Sequence, residues 1–192
     1  MNITNKDTLK LLAAAGLEKC LLRLTKVTPG TWLLSGVRVF SGTVRDAVRR
    51  KEGEAQPGAA IRVKIKGPIP FTTALLFNPA DTKYISGCFA EDSVYGTLIA
   101  DQPEVTIIEI GNIVLNALAN SLLKAFNRSA VPSVPAYFQG GPGAIEEWLG
   151  VGPAEFTVVS AAFTMQRGGV SARAEILAFL PPHLAEEASP QK

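Results

Sequence analysis

The chain has 192 residues, 47% hydrophobic and 19% charged, a balance that fits a folded protein with an ample core and excludes a disordered one. A net charge of +2 without a dense basic stripe argues against nucleic acid as a partner; the cluster from Arg45 to Lys51 reads as a solvated strand end or turn. Cys20 and Cys88 lie in apolar segments without metal-ligand spacing, the stretch from Met1 to Lys6 lacks signal-peptide design, and no run of about 18 apolar residues is read as a membrane span, so a cytoplasmic protein with buried free thiols and no membrane contact is expected.

Apolar periodicity predicts a first helix over residues 6 to 27, then a strand region from Trp32 to Val48 in which Val37, Val39, Thr43 and Val44 carry the alternation. Gly53 to Gly58, with Pro57, forms a turn cluster. Ile61 to Ile65 alternates apolar and basic residues as a half-buried strand does, and Gly67 and Pro68 begin the hairpin connection to a strand over residues 71 to 77. A short helix is expected over residues 80 to 90, capped by Asp81. The longest helix starts near Asp101 and Pro103, runs without a breaker to about Phe126, and has ended by Pro132. An extended stretch over residues 134 to 138, a glycine-rich turn at 140 to 143, a short helix at 144 to 149 and strands over 155 to 166 and 170 to 179 complete the chain. Pro181 closes the last strand, and the tail from Ala188 is expected to be loose.

The long helix carries the most informative pattern. At roughly 100° per residue, Ile107, Ile108, Val114, Leu115, Leu118, Leu122 and Phe126 share one side, and Glu109, Asn112, Asn116 and Asn120 the other. Gly111 falls within the apolar side, where a missing side chain lets another backbone approach. An ordinary wet face would be filled with Glu, Lys, Arg and Gln. Three asparagines at i, i+4 and i+8 are poor helix formers, so a role other than helix stability is expected for them.

The chain also repeats itself. Leu21-Leu22-Arg23 matches Leu122-Leu123-Lys124, Lys66-Gly67 matches Arg167-Gly168, and the segment from Leu75 to Pro79 matches that from Leu177 to Pro181, all at a separation of 101 or 102 residues. The expectation is an α+β fold of two helix-plus-three-strand units, over about residues 6–90 and 101–187, related by a pseudo-two-fold. Its two long helices would pack on an antiparallel sheet in one domain spanning residues 1–187.

The usual catalytic sets are missing. His183 is the only histidine and is expected at the surface; no Ser-His-Asp set, metal-ligand cluster or phosphate-binding loop can be assembled. Gly140-Gly141-Pro142-Gly143 lacks the lysine of a phosphate cradle, and Trp32, Phe40, Trp148 and Phe156 read as core or interface aromatics.

Glu109-Ile110-Gly111-Asn112-Ile113, within this duplicated chain, resembles the CheC/CheX/FliY family of chemotaxis phosphatases, whose signature is a Glu and an Asn three residues apart on a long helix with a proline some two dozen residues later. Pro135 fits that last element. The resemblance implies a CheC-like fold, catalytic residues Glu109 and Asn112, and removal of phosphate from the aspartyl phosphate of a CheY-like response regulator. No cofactor belongs to the chain itself; magnesium is expected in the acidic pocket of the phosphorylated receiver domain. A homodimer and a monomer are both compatible with a duplicated chain.

Two departures from the family pattern stand out. Val105 occupies the place, four residues before the Glu, where an Asp or Ser is common; Thr106 or Glu104 could substitute only with shifted geometry. In the first half the repeat offset sets Thr8 and Leu11 opposite Glu109 and Asn112, so a single site is expected, as in CheX.

An aspartyl phosphate is already reactive, so a helper protein needs no nucleophile, only a well-placed water and support for charge. Asn112 could hold that water, and Glu109 could pair with the lysine beside the regulator's phosphate. A noncatalytic receiver-binding protein and an assembly protein resembling flagellar-switch relatives are the alternatives.

Overall fold

The computed structural model describes residues 4–49, 54–92 and 103–187. Helix α1 (Asn5–Val27) begins at a reciprocal cap: the Thr4 hydroxyl accepts from the Asp7 N–H at 3.2 Å and the Asp7 carboxylate accepts from the Thr4 N–H at 3.1 Å. There follow β1 (Thr31–Gly42), α2 (Val44–Val48), β2 (Ala59–Lys66), β3 (Phe71–Phe77) and α3 (Pro79–Asp92). The second half runs α4 (Pro103–Ala125), β4 (Val131–Pro132), β5 (Ala136–Gln139), α5 (Pro142–Leu149), β6 (Phe156–Arg167), β7 (Val170–Leu180) and α6 (Pro182–Glu187).

The strand pairs are antiparallel, in the order β1-β6-β7-β3-β2, with β4 and β5 sharing the outer edge of β2. Read from either end, this order is an edge strand that follows a long helix, then the first and second strands of a hairpin. The halves are therefore related by a pseudo-two-fold between β7 and β3. Each edge strand pairs with the hairpin of the other half, so separating the halves would break hydrogen-bonded ladders. That interlock makes one α+β unit of the two repeats.

Helices α1 and α4 lie on one face of the sheet, with Leu9, Leu17, Ile61, Phe77, Ile107 and Leu115 in the core between. The opposite face carries a smaller core, in which Val48 of α2 and Ile145 and Leu149 of α5 cover Leu76, Leu177 and Phe179. Arg62 of β2 anchors α5: its guanidinium sits 4.4 Å from the centre of the Trp148 ring and donates to the carbonyls of Trp148 and Leu149. These bonds satisfy acceptors that a helix C-terminus leaves free.

Several local expectations need correction. The strand region ends at Gly42, and Val44–Val48 is a helix carrying Arg45, because Thr43 and Asp46 form a second reciprocal cap, with bonds of 2.8 and 3.2 Å. The cap of α3 is Asn78, whose Oδ1 accepts from the Asp81 N–H at 2.9 Å; Asp81 answers by accepting from the Asn78 amide. The extended stretch after α4 is two short strands. They are separated at Ser133, which pairs with Lys64 through both its N–H and its hydroxyl, and at Pro135, which has no N–H to offer. Helix α5 starts at Pro142, so the glycine-rich turn is shorter than expected.

Helix α4 is, from Glu104 to Ala125, long and apolar enough to cross a membrane by length and composition, contrary to the sequence reading; here half of that stretch is buried in the protein. The constant repeat separation does not hold in the helices: buried Thr8, Leu9, Ala13, Leu17, Leu21 and Leu24 of α1 match buried Thr106, Ile107, Gly111, Leu115, Ala119 and Leu122 of α4, and Leu9 and Ile107 are 98 residues apart. Gly53, Asp101 and the tail from Ala188 lie outside the described residues.

Two glycines set how closely α4 can approach its neighbours. A Cβ on Gly111 would lie 2.5 Å from Ile61 Cδ1, 3.0 Å from its Cγ2 and 3.2 Å from its Cβ. A Cβ on Gly16 of α1 would run into the Ser121 side chain of α4. The Ile61 contacts involve the stiff branch point and not only the free end of the side chain, so rotamer change alone cannot relieve them.

Gly111→Ala is therefore expected to destabilise the fold by about 1–3 kcal/mol, because overpacking outweighs the roughly 1 kcal/mol that alanine returns in helix propensity. Ile61→Val, which removes Cδ1, should recover part of the loss in the Gly111→Ala background. Urea unfolding of the two single variants and the double variant checks this, and additive losses would contradict the contact.

Candidate functional site

Seating Gly111 on Ile61 fixes the rotation of α4 about its axis, and with it the outward residues. Ile107, Ile110, Val114, Leu115 and Leu118 are buried, while Glu109 is exposed. Asn112 and Asn116 are half-buried at the margin of the helix, Asn120 is exposed, and Ile108 is only partly covered. Glu109 and Asn112 thus reach the surface on the same turn, Glu109 standing clear and Asn112 set lower.

The Glu109 carboxylate has no hydrogen bond or ion pair among the described residues. One turn to either side stand Val105 and Ile113, 49% and 46% exposed, so the lone acid lies between two apolar side chains. An exposed valine cannot supply the hydrogen bonds of an Asp or Ser. Thr106 cannot replace it either, since it is buried, and Glu104 is half-buried beside Tyr137. Burial first, and the Glu104 charge second, push the Tyr137 hydroxyl above its ordinary range.

Asn112 Oδ1 accepts a hydrogen bond of 2.8 Å from the Nδ2 of Asn116, one turn on. The pair is not evident from the polar stripe alone, although the i,i+4 spacing of the two asparagines is its signal in the sequence. Pro135 lies immediately before β5. Ile61, which supports Gly111, has Tyr137 as its cross-strand neighbour on β5, two residues after the proline.

Of the other singled-out residues, Cys20 is a buried free thiol whose Sγ donates to the Ile113 carbonyl at 3.9 Å, behind this turn, whereas His183 is exposed on α6 and Cys88 is a buried free thiol. Trp32 packs against Phe163, Phe156 meets Phe179 edge-on, and Trp148 stacks on Phe138, so these aromatics build core. Phe40 packs partly buried against the smaller core. Among the described residues no three His, Cys, Asp or Glu side chains gather as metal ligands. On α1 the places equivalent to Glu109 and Asn112, by the matching burial of the two helices, are held by Leu11 and Ala14, correcting the assignment to Thr8 and Leu11. Neither can position water or pair with a cation.

A cleft of about 660 Å³ lies on the opposite face of the sheet, lined by Arg38, Asp46, Arg49, Ser160, Arg173 and Glu175 among others. Its buried acid is already engaged: the Ser160 hydroxyl donates to Glu175 at 2.6 Å and Arg38 lies 3.6 Å away. The turn at Glu109 and Asn112 is on a helix surface instead. An acid and an amide presented there suit a macromolecular partner that brings its own reactive group, more than a small substrate needing enclosure.

No protein-family model matches the sequence, and no curated protein is significantly similar to it. Solved structures are similar in fold. FliY from Thermotoga maritima matches at a TM-score of 0.65, with 12% identity, over 95% of this chain and 92% of that one. The FliM middle domain from Vibrio alginolyticus matches at 0.60, with 9% identity, over 93% and 96%. CheX from Desulfovibrio desulfuricans matches at 0.56, with 9% identity, over 88% and 98%. The chain has the fold of the CheC/CheX/FliY family, shared by the FliM middle domain.

Because Glu109 has no side-chain partner to lose among the described residues, Glu109→Gln is expected to shift stability by no more than about 0.5 kcal/mol. A melting-temperature comparison checks this, and a loss of several degrees would show that the carboxylate serves the fold.

Proposed function

We propose that this chain is a phosphatase for the aspartyl phosphate of a CheY-like receiver domain, acting in chemotaxis or two-component signalling in the cytoplasm. The observation that carries the reading is the unpaired, exposed Glu109 on the same turn as Asn112, in a fold shared with CheX. The wholly apolar helix equivalents, Leu11 and Ala14, confine it to one site.

Glu109 is the docking group. It stands between exposed Val105 and Ile113, so a partner covering those side chains would exclude water from the carboxylate and strengthen its pairing with a cationic group. The partner's lysine beside the phosphate is that group in this reading. Asn112 is the water-positioning group: its amide accepts from and donates to a water set in line with the phosphorus–carboxylate bond. The water oxygen forms a bond to phosphorus as the bond from phosphorus to the aspartyl oxygen breaks. The electron pair leaves with the receiver's carboxylate, and the water proton ends on inorganic phosphate or solvent. Magnesium is held by the receiver's own acidic pocket, and this chain contributes no ligand to it.

A second reading, an assembly protein without turnover, is favoured by the likeness to the FliM middle domain and by Leu11 and Leu22 of α1, which are 60% and 59% exposed.

Phosphate release from acetyl-phosphate-loaded receiver domains, with and without the chain, tests the proposal. Asn112→Ala is expected to cut the maximal rate by about tenfold or more while binding to the beryllofluoride-loaded receiver persists, and Glu109→Lys to weaken that binding by a similar factor. Binding without turnover by the unaltered chain would leave a receiver-binding protein; stable self-assembly with neither would support the second reading.

A further inference from the structure

Asn112 is held by a neighbour that the family signature does not include. The Nδ2 of Asn116 lies 2.8 Å from Asn112 Oδ1, and both side chains are half-buried. A side-chain amide has two chemically different ends on a nearly symmetric frame, and rotation by half a turn exchanges acceptor for donor. Water positioning depends on which end faces the phosphate.

We infer that Asn116 is a positioning residue that restrains rotation of the Asn112 amide, an inference that rests on the phosphatase reading above. With Asn116 donating to Oδ1, one lone pair of that oxygen remains for a proton of the attacking water. The two Nδ2 hydrogens remain to donate to that water and to a phosphoryl oxygen. If Asn112 alone were reversed, its Nδ2 would face the Nδ2 of Asn116, donor against donor, so Asn112 can reverse only if Asn116 turns with it. The bond also polarises the Asn112 amide and makes its N–H groups better donors. That restraint accounts for an asparagine at position 116, where helix propensity alone favours Ala, Leu, Lys or Glu. Asn120, exposed one turn further on, continues the stripe without being part of the pair.

The test is single-turnover dephosphorylation of a phosphorylated receiver domain, with binding to the beryllofluoride-loaded receiver measured in parallel. Asn116→Leu keeps the shape and loses the donor; Asn116→Asp keeps the shape and can only accept; Asn116→Gln keeps the donor on a longer arm. Loss of one hydrogen bond of this kind is expected to lower the maximal rate about three- to tenfold in the Leu variant and at least as much in the Asp variant. Receiver binding by the Leu variant should stay within about twofold, and the Gln variant should recover part of the rate. In an Asn112→Ala background, Asn116→Leu should have no further effect, the mark of a residue acting through Asn112. An Asn116→Leu rate within twofold of the unaltered chain, with Asn112→Ala still impaired, overturns the positioning role and leaves the phosphatase reading standing. So does an equal added loss in the Asn112→Ala background, which is what a merely structural role would give. An unaltered chain that produces no turnover overturns both.

Discussion

The contact between Gly111 and Ile61 decides what the rest of the molecule can present. Helix α4 lies against β2 with no side chain at position 111, and the Ile61 side chain, Cδ1 nearest, fills the space a Cβ would need. Position along the helix and rotation about it are fixed together by that contact. Rotating α4 by a quarter turn would bring Asn112 under the helix or lift Ile110 into water. The glycine that costs helix propensity is therefore also the residue that aims Glu109 and Asn112 outward.

Around that contact the fold uses duplication economically. Two long helices cover one face of a sheet whose edge strands are exchanged between halves, while α2 and α5 close the other face with a smaller core. The pseudo-two-fold gives both long helices the same setting, yet only α4 carries an acid and an amide on its outward turn. On α1 the places of Glu109 and Asn112 are held by Leu11 and Ala14, and Leu11 is exposed. Identical scaffolding with different outward residues separates what builds the fold from what is offered to a partner.

Much of this was legible in the residues because period and chemistry agreed. Ile61 to Ile65 alternates and is a strand; the pattern from Pro103 to Phe126 has helical period and is helix α4 to within a residue. Helix α2 was missed because five residues are too few to show a period, although Thr43 and Asp46 had the spacing of a cap. The halves align in the helices at 98 residues, because connections differ in length between repeats and local tripeptide matches cannot register them. At the site, Glu109 and Asn112 could be placed on one turn from spacing alone. That Asn112 sits lower than Glu109 and is bonded to Asn116 depends on how far α4 sinks onto the sheet, which only tertiary packing decides.

The central claim is that a receiver domain meets this chain on the outward turn of α4, and the most direct measurement is a map of that interface in solution. Nuclear magnetic resonance of the isotope-labelled chain, titrated with beryllofluoride-loaded CheY-like receiver, reads the side-chain amides of Asn112 and Asn116 and the backbone amides from Val105 to Asn116 individually. The expected result is that these signals shift on addition of the loaded receiver and far less with the unloaded one. Shifts confined to β1, β4 or the opposite face, with α4 unmoved, would contradict the account.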